Sequence, residues 1–193
     1  MIISRRALLT GLAVVAAAPA RACGFDGALD AGFGYVHPRA LEVALAVRQA
    51  VRDGALDADA LEPLSPGADG LWRATEQLRL FGQALSHASA PERPAIALLL
   101  AEAALWTRYA PAGSVYECRV HANGPDAGDA VVVADRSALA AINAGRLPCK
   151  QALARGLMIV DAVEPGPMTQ FLSTVPRAPS GNLGARAAFS RAR

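Results

Sequence analysis

Ala95-Ile96-Ala97-Leu98-Leu99-Leu100-Ala101, directly after Pro94, is the stretch on which the fold turns. Its composition suits a helix. Its length, and unbroken apolarity bounded by a proline, equally suit a strand buried on both faces. The residues downstream of it decide for a strand up to about Ala101, then a short helical turn through Trp106 and Tyr109. Residues 115–121 alternate, with Tyr116, Cys118 and Val120 on one side and Glu117, Arg119 and His121 on the other, the mark of a half-buried strand. Asn123-Gly124-Pro125-Asp126 is turn chemistry, and Ala130-Val131-Val132-Val133-Ala134 is a strand rich in β-branched residues. Leu157-Met158-Ile159-Val160 reads as the last strand. A sheet of two or three strands is marginal, so residues 95–101 are needed to complete it.

Helices fill the rest. Pro38 suits the first position of a helix, and Leu41, Val43, Leu45, Val47 and Val51 carry it to Asp53, where Gly54 stops it. Residues 54–68 read as a loop. Asp69 is placed to cap a second helix over about 70–88, with Leu71, Thr75, Leu78, Phe81 and Leu85 at helical spacing. Ser137 starts a short helix to about Ala144, ended by Gly145, and Pro148 opens another to about Arg155, ended by Gly156. The expectation is an α+β fold: N-terminal helices packed on a mixed or antiparallel sheet of about four to five strands, in a single domain over residues 38–163.

The segments outside that domain differ in composition. Residues 23–37 are rich in glycine and aromatics and read as irregular chain. After Glu164 there is no acidic residue, and Arg177, Arg186, Arg191 and Arg193 sit among Pro, Ser, Gly and Ala. Residues 164–193 are expected to be a disordered tail.

Residues 1–22 have the layout of an export signal: Arg5 and Arg6 before an apolar run over residues 7–18, then Ala20-Arg21-Ala22 ahead of a cut. The paired arginines after Ser4, followed by Leu8 and Leu9, resemble a twin-arginine signal. The run is too short to span a bilayer, which needs ~20 helical residues. Cleavage would place the protein in the periplasm of a bacterium or outside the cell. It would also remove Arg5, Arg6 and Arg21, and move the formal charge from +2 to about −1, away from that of a basic nucleic-acid binder. Cys23 would then come first. Ala20 and Arg21 at −3 and −2 favour ordinary cleavage over a lipoprotein site, and membrane contact is expected only if Cys23 carries lipid.

From residue 115 to 161 the order is strand, turn, strand, short helix, Gly, short helix, Gly, strand. Asp129 to Asp135, Ser137-Ala138-Leu139, Ala144-Gly145-Arg146-Leu147 and Ala152 to Ile159 resemble the C-terminal half of a sterol-carrier-protein-type lipid-binding domain. The resemblance implies a mixed sheet covered on one face by helices, with an apolar tunnel for a fatty acyl or sterol-like ligand. Leu139, Ile142, Leu147, Leu153 and Leu157 would line it, or serve as plain core. That family offers no catalytic residues to transfer.

Reactive constellations are sparse. Cys118, His121 and Cys149 invite a metal reading, yet residues three apart on a strand face opposite sides. Cys23, Cys118 and Cys149 allow one disulfide in any of three pairings, or a metal or redox accessory role. Asp26 and Asp30 offer two carboxylates to a cation. His37, before Pro38, suits capping or a surface contact, and His87 falls near a helix C-terminus. No Gly-x-Ser-x-Gly, Cys-x-x-Cys, Gly-rich phosphate loop or His-Glu-x-x-His motif is present. No cofactor is implied. The sequence therefore points to an exported binding module for an apolar small molecule or a partner protein, ahead of a metal or redox accessory protein and of a hydrolase built from dispersed residues.

Overall fold

The computed structural model describes residues 37–90 and 92–176. The expected signal over 1–22, the segment 23–36 with Cys23, Asp26 and Asp30, and residues 177–193 lie outside the described residues.

Residues 95–101 do form a strand, β1 (Ile96–Leu100), with every residue buried. Its alternate side chains serve two cores, as a strand covered on both faces requires. Ile96, Leu98 and Leu100 enter the main core, while Leu99 joins a smaller one with Ala40, Val43, Val133 and Ile159. The chain then turns through Ala101–Ala103 and left-handed Ala104 (φ 48°) into β2 (Leu105–Ala112). The helical turn expected through Trp106 and Tyr109 is thus a full strand, antiparallel to β1 with Leu100 opposite Leu105.

The hairpin continues into β3 (Val115–Val120), then crosses to β4 (Ala130–Ala134), which runs parallel to β1. β5 (Met158–Asp161) pairs antiparallel with β4. The sheet is mixed and five-stranded, in the order β3-β2-β1-β4-β5. The α+β expectation holds.

Among the described residues five α-helices cover this sheet. α1 (Ala40–Arg52) supplies Ala40 and Val43 to the smaller core, and His37 stands just ahead of it. The imidazole Nδ1 accepts from Arg39 N–H at 3.2 Å, Nε2 lies 3.2 Å from Asp161 Oδ2, and the ring meets Trp106 edge-on. The main core lies between the sheet and α2 (Ala68–Ser86), α3 (Arg136–Asn143), α4 (Cys149–Ala154) and α5 (Gly166–Ser173). α2 starts one residue before Asp69, with Gly67 as its N-cap, so Asp69 stands in the first turn rather than capping. In that position its carboxylate still favours the helix dipole.

The ends of α3 and α4 share one mechanism. Asp135 caps α3 by accepting from Ser137 N–H at 2.7 Å. At the far end Gly145 (φ 68°) bonds Ile142 O and Arg146 N–H bonds Ala141 O. At the end of α4, Gly156 (φ 69°) bonds Leu153 O and Leu157 N–H bonds Ala152 O. Each is a Schellman closure, which requires a left-handed residue and so places glycine there. The second closure turns Leu157 into the core and launches β5.

The tail expected from residue 164 is corrected over its first part. α5 packs Met168, Phe171 and Leu172 into the main core, joined by Val175 just beyond its end. Their spacing of three and four residues is an amphipathic helix stripe. The domain therefore extends past residue 163, through α5.

Candidate functional site

β3 is an edge strand, and α2 packs across it. Gly82 lets the helix approach: a Cβ there would stand 3.0 Å from the Tyr109 ring and 3.5 Å from Cys118 Cβ. Tyr109 is fully buried and donates its hydroxyl to Leu78 O at 2.9 Å, so its ring is fixed. Ser86, one turn beyond Gly82, donates to Gly82 O and accepts from Tyr116 N–H at 2.8 Å. The helix thereby satisfies a backbone donor of β3. Arg93 then ties the two ends together, donating to Ser86 O at 3.0 Å and to Ser114 O.

Between these elements runs a groove of about 680 Å³, within the range of small-molecule sites. Val115, Tyr116, Cys118 and Gly82 form its apolar wall, and Arg79 and Arg93 its cationic side, with His87 at the end of α2 beside them. Among the described residues no carboxylate lines it. Tyr116 donates its hydroxyl to Pro94 O at 2.9 Å, and Arg93 lies over its ring 6.0 Å from the centroid. Burial raises the Tyr116 phenol to about 12 against the pull of Arg93. The Cys118 thiol is pushed up to about 11 by burial, with Arg79 opposing. Both groups are protonated at neutral pH, and a thiol in that state is a poor nucleophile and a poor metal ligand. What the groove offers is a weakly polar wall with guanidinium donors at its edge.

The chain matches no protein-family model, no curated protein and no solved structure. Its own geometry is what speaks for the site.

The residues singled out from sequence are scattered. Leu139, Ile142, Leu147 and Leu157 are at most 3% exposed and belong to the main core. Ile142 and Leu147 also border a hollow of about 170 Å³ beside Cys149 and Val175. Leu153 is partly buried and lines a groove of about 500 Å³ along β5. None of the five lines the groove between α2 and β3.

The metal trio is not assembled. Cys118 points to α2 on the main-core side, exposed His121 ends β3 with φ 64°, and Cys149 is buried with its Sγ 4.0 Å from Met158 Sδ. Burial pushes the Cys149 thiol to about 12. No group of three His, Cys, Asp or Glu side chains able to hold an ion occurs among the described residues. Cys118 and Cys149 are both free thiols, so the pairing of those two is also corrected. His87 is the C-cap of α2, at the helix end that its sequence position implies.

Sequence reasoning missed Arg79 and Arg93 as site residues, because only the crossing of α2 over β3 brings them together. It also missed Glu102, Asp135 and Arg136, gathered where parallel β1 and β4 end. Glu102 Oε1 accepts from Arg136 N–H at 2.9 Å and faces Arg136 Nε at 3.5 Å. Burial first, then the Asp135 charge, raises the Glu102 carboxyl well above its ordinary value. Arg136 also donates to Glu62 O at 3.2 Å, so this cluster fastens the start of α3 to the loop before α2.

Proposed function

We propose that this chain is an exported, non-enzymatic binding module that seats an apolar small molecule bearing an anionic group between α2 and β3. One observation carries the reading: an apolar-walled groove of about 680 Å³ whose charged side chains, Arg79 and Arg93, are both cations, with no carboxylate among its described lining residues. A fatty acyl carboxylate fits that chemistry. Its chain would lie along Val115, Tyr116 and Cys118, and its head would meet guanidinium donors that suit a carboxylate geometrically. The protonated Cys118 and Tyr116 add little charge to repel the chain and leave the groove without an activated nucleophile.

The resemblance to sterol-carrier-type domains leads to the same ligand class, and the mixed sheet carrying most of its helices on one face is in keeping with it. The seat differs from the residues that the resemblance implied, four of which are packed in the core. Export rests on the layout of residues 1–22.

Displacement of a fluorescent fatty acid tests the proposal. Binding is expected, and Arg79→Glu, an exposed position, is expected to weaken it at least tenfold without changing the melting temperature. No binding, or equal binding by the variant, counts against this seat.

A further inference from the structure

The groove between α2 and β3 holds its two guanidinium groups at opposite ends. Its middle is the point where the helix crosses the strand, with Gly82 against Tyr109 and Cys118. Arg79 stands nearly one turn of α2 before Gly82, and Ser86 about one turn beyond it. Arg93 is anchored at that far end, donating to Ser86 O at 3.0 Å and to Ser114 O. The stretch of α2 from Arg79 to Ser86 rises about 10 Å. Helical side chains lean toward the N-terminus of their helix, which carries the Arg79 head further from Arg93.

Both cations have donors to spare. Ser86 O and Ser114 O take one N–H each from the Arg93 guanidinium, which has five. Arg79 is exposed, and its side chain makes no ion pair or hydrogen bond among the described residues. The carboxylates closest in sequence are directed elsewhere. Glu92 lines the separate hollow beside α5, and Glu117 alternates with Tyr116 and Cys118 onto the other face of β3. Glu76, on the turn of α2 before Arg79, does not line the groove. Between the two ends the wall of Val115, Tyr116 and Cys118 carries no formal charge.

A ligand with a single anionic group can engage only one of these ends. We infer that the groove takes a medium-chain α,ω-dicarboxylate, with one carboxylate on Arg79, the other on Arg93, and the methylene chain along Tyr116 and Cys118. This ligand class rests on the proposed seat between α2 and β3 and narrows what occupies it. Each guanidinium matches the planar, two-oxygen geometry of a carboxylate. The span between them selects for length, because a short diacid reaches one cation but not both.

Calorimetric titration of the full chain with decanedioate and with decanoate tests the inference. The two share a carbon count and differ by the second carboxylate. Decanedioate is expected to bind at least tenfold more tightly. In Arg79→Gln that ratio is expected to fall to about twofold or less, with a thermal melt establishing that the variant folds. Butanedioate is too short for the span and is expected to gain no such advantage over butanoate. Equal affinity for decanedioate and decanoate would overturn the inference and leave the seat standing. So would an undiminished ratio in Arg79→Gln, or the same advantage for butanedioate. Binding of neither ten-carbon acid overturns it too, and displacement of the fluorescent fatty acid then decides whether the seat falls with it.

Discussion

Arg108 grips both carboxylate oxygens of Asp129, Nε to Oδ2 at 2.8 Å and Nη2 to Oδ1 at 2.9 Å. Arg108 stands on β2 and Asp129 immediately precedes β4, so the pair fastens the crossover between β3 and β4 to the sheet it passes over. Asp126 N–H also donates to Asp129 Oδ2 at 2.9 Å, and Asp126 lies 3.0 Å from Arg108 Nε. This one guanidinium thus joins two carboxylates of the connection that makes β4 parallel to β1, alongside the backbone bonds from Ala122 to Trp106 and from Ala130 to Ala95.

Asp129→Asn should therefore lower the melting temperature by a few degrees near neutral pH. The hydrogen bond from Arg108 is the chief reason that the Asp129 carboxyl sits below its ordinary value. A depressed folded value adds stability above the unfolded value of ~3.9, which is lost as pH falls through the folded one. The gap between wild type and variant should close on acidification, as thermal melts from pH 7 to pH 2 would record.

Glu102 has the opposite sign. Its folded value is raised by burial and by Asp135, with Arg136 opposing. Its contribution is complete below the unfolded value of ~4.3 and is lost as pH rises through the raised folded value. Glu102→Gln keeps an acceptor for Arg136 N–H and removes that titration. Melting temperatures between pH 4 and pH 8 should fall less steeply with pH in the variant than in wild type.

Two glycines of α2 should resist replacement by alanine, although alanine is the better helix former by about 1 kcal/mol. At Gly82 the new Cβ would press on the fixed Tyr109 ring at 3.0 Å, and a net loss of about 1–2 kcal/mol is expected. At Gly70 it would stand 1.8 Å from the backbone oxygen of Ser65, and about 3 kcal/mol is expected. Urea denaturation of the two variants measures both.

α5 is part of the fold and should behave so. Phe171 is 6% exposed and meets the Tyr116 ring edge-on at 6.2 Å. Phe171→Ala is expected to cost about 3–4 kcal/mol in the same measurement. A loss below about 1 kcal/mol would mean that the helix contributes little to the core.

Much of this architecture is legible in the residues. β4 coincides with the β-branched run over 130–134, and Gly145 and Gly156 mark the helix ends that they close. β2 is hidden because one adjacent pair, Trp106 and Thr107, breaks its alternation. Polar Thr107 points inward and is fully buried, while apolar Trp106 lies on the outer face beside α1. Hydrophobicity therefore gives no period of two there. In α5 the apolar spacing of Met168, Phe171, Leu172 and Val175 is plain, but the Pro165-Gly166-Pro167 start reads as loop. The groove between α2 and β3 has no linear signature. Arg79 and Cys118 are 39 positions apart in the chain, and tertiary packing alone makes them neighbours of one cavity.

The thiol of Cys118 reports most directly on the proposed ligand seat, since it forms part of the groove wall and Cys149 does not. The rate of its alkylation by iodoacetamide, followed by peptide mass spectrometry with and without saturating oleate, is the deciding measurement. Oleate is expected to slow modification of Cys118 at least fivefold and leave Cys149 unchanged. An unchanged rate at Cys118 with oleate bound would contradict a ligand seat between α2 and β3.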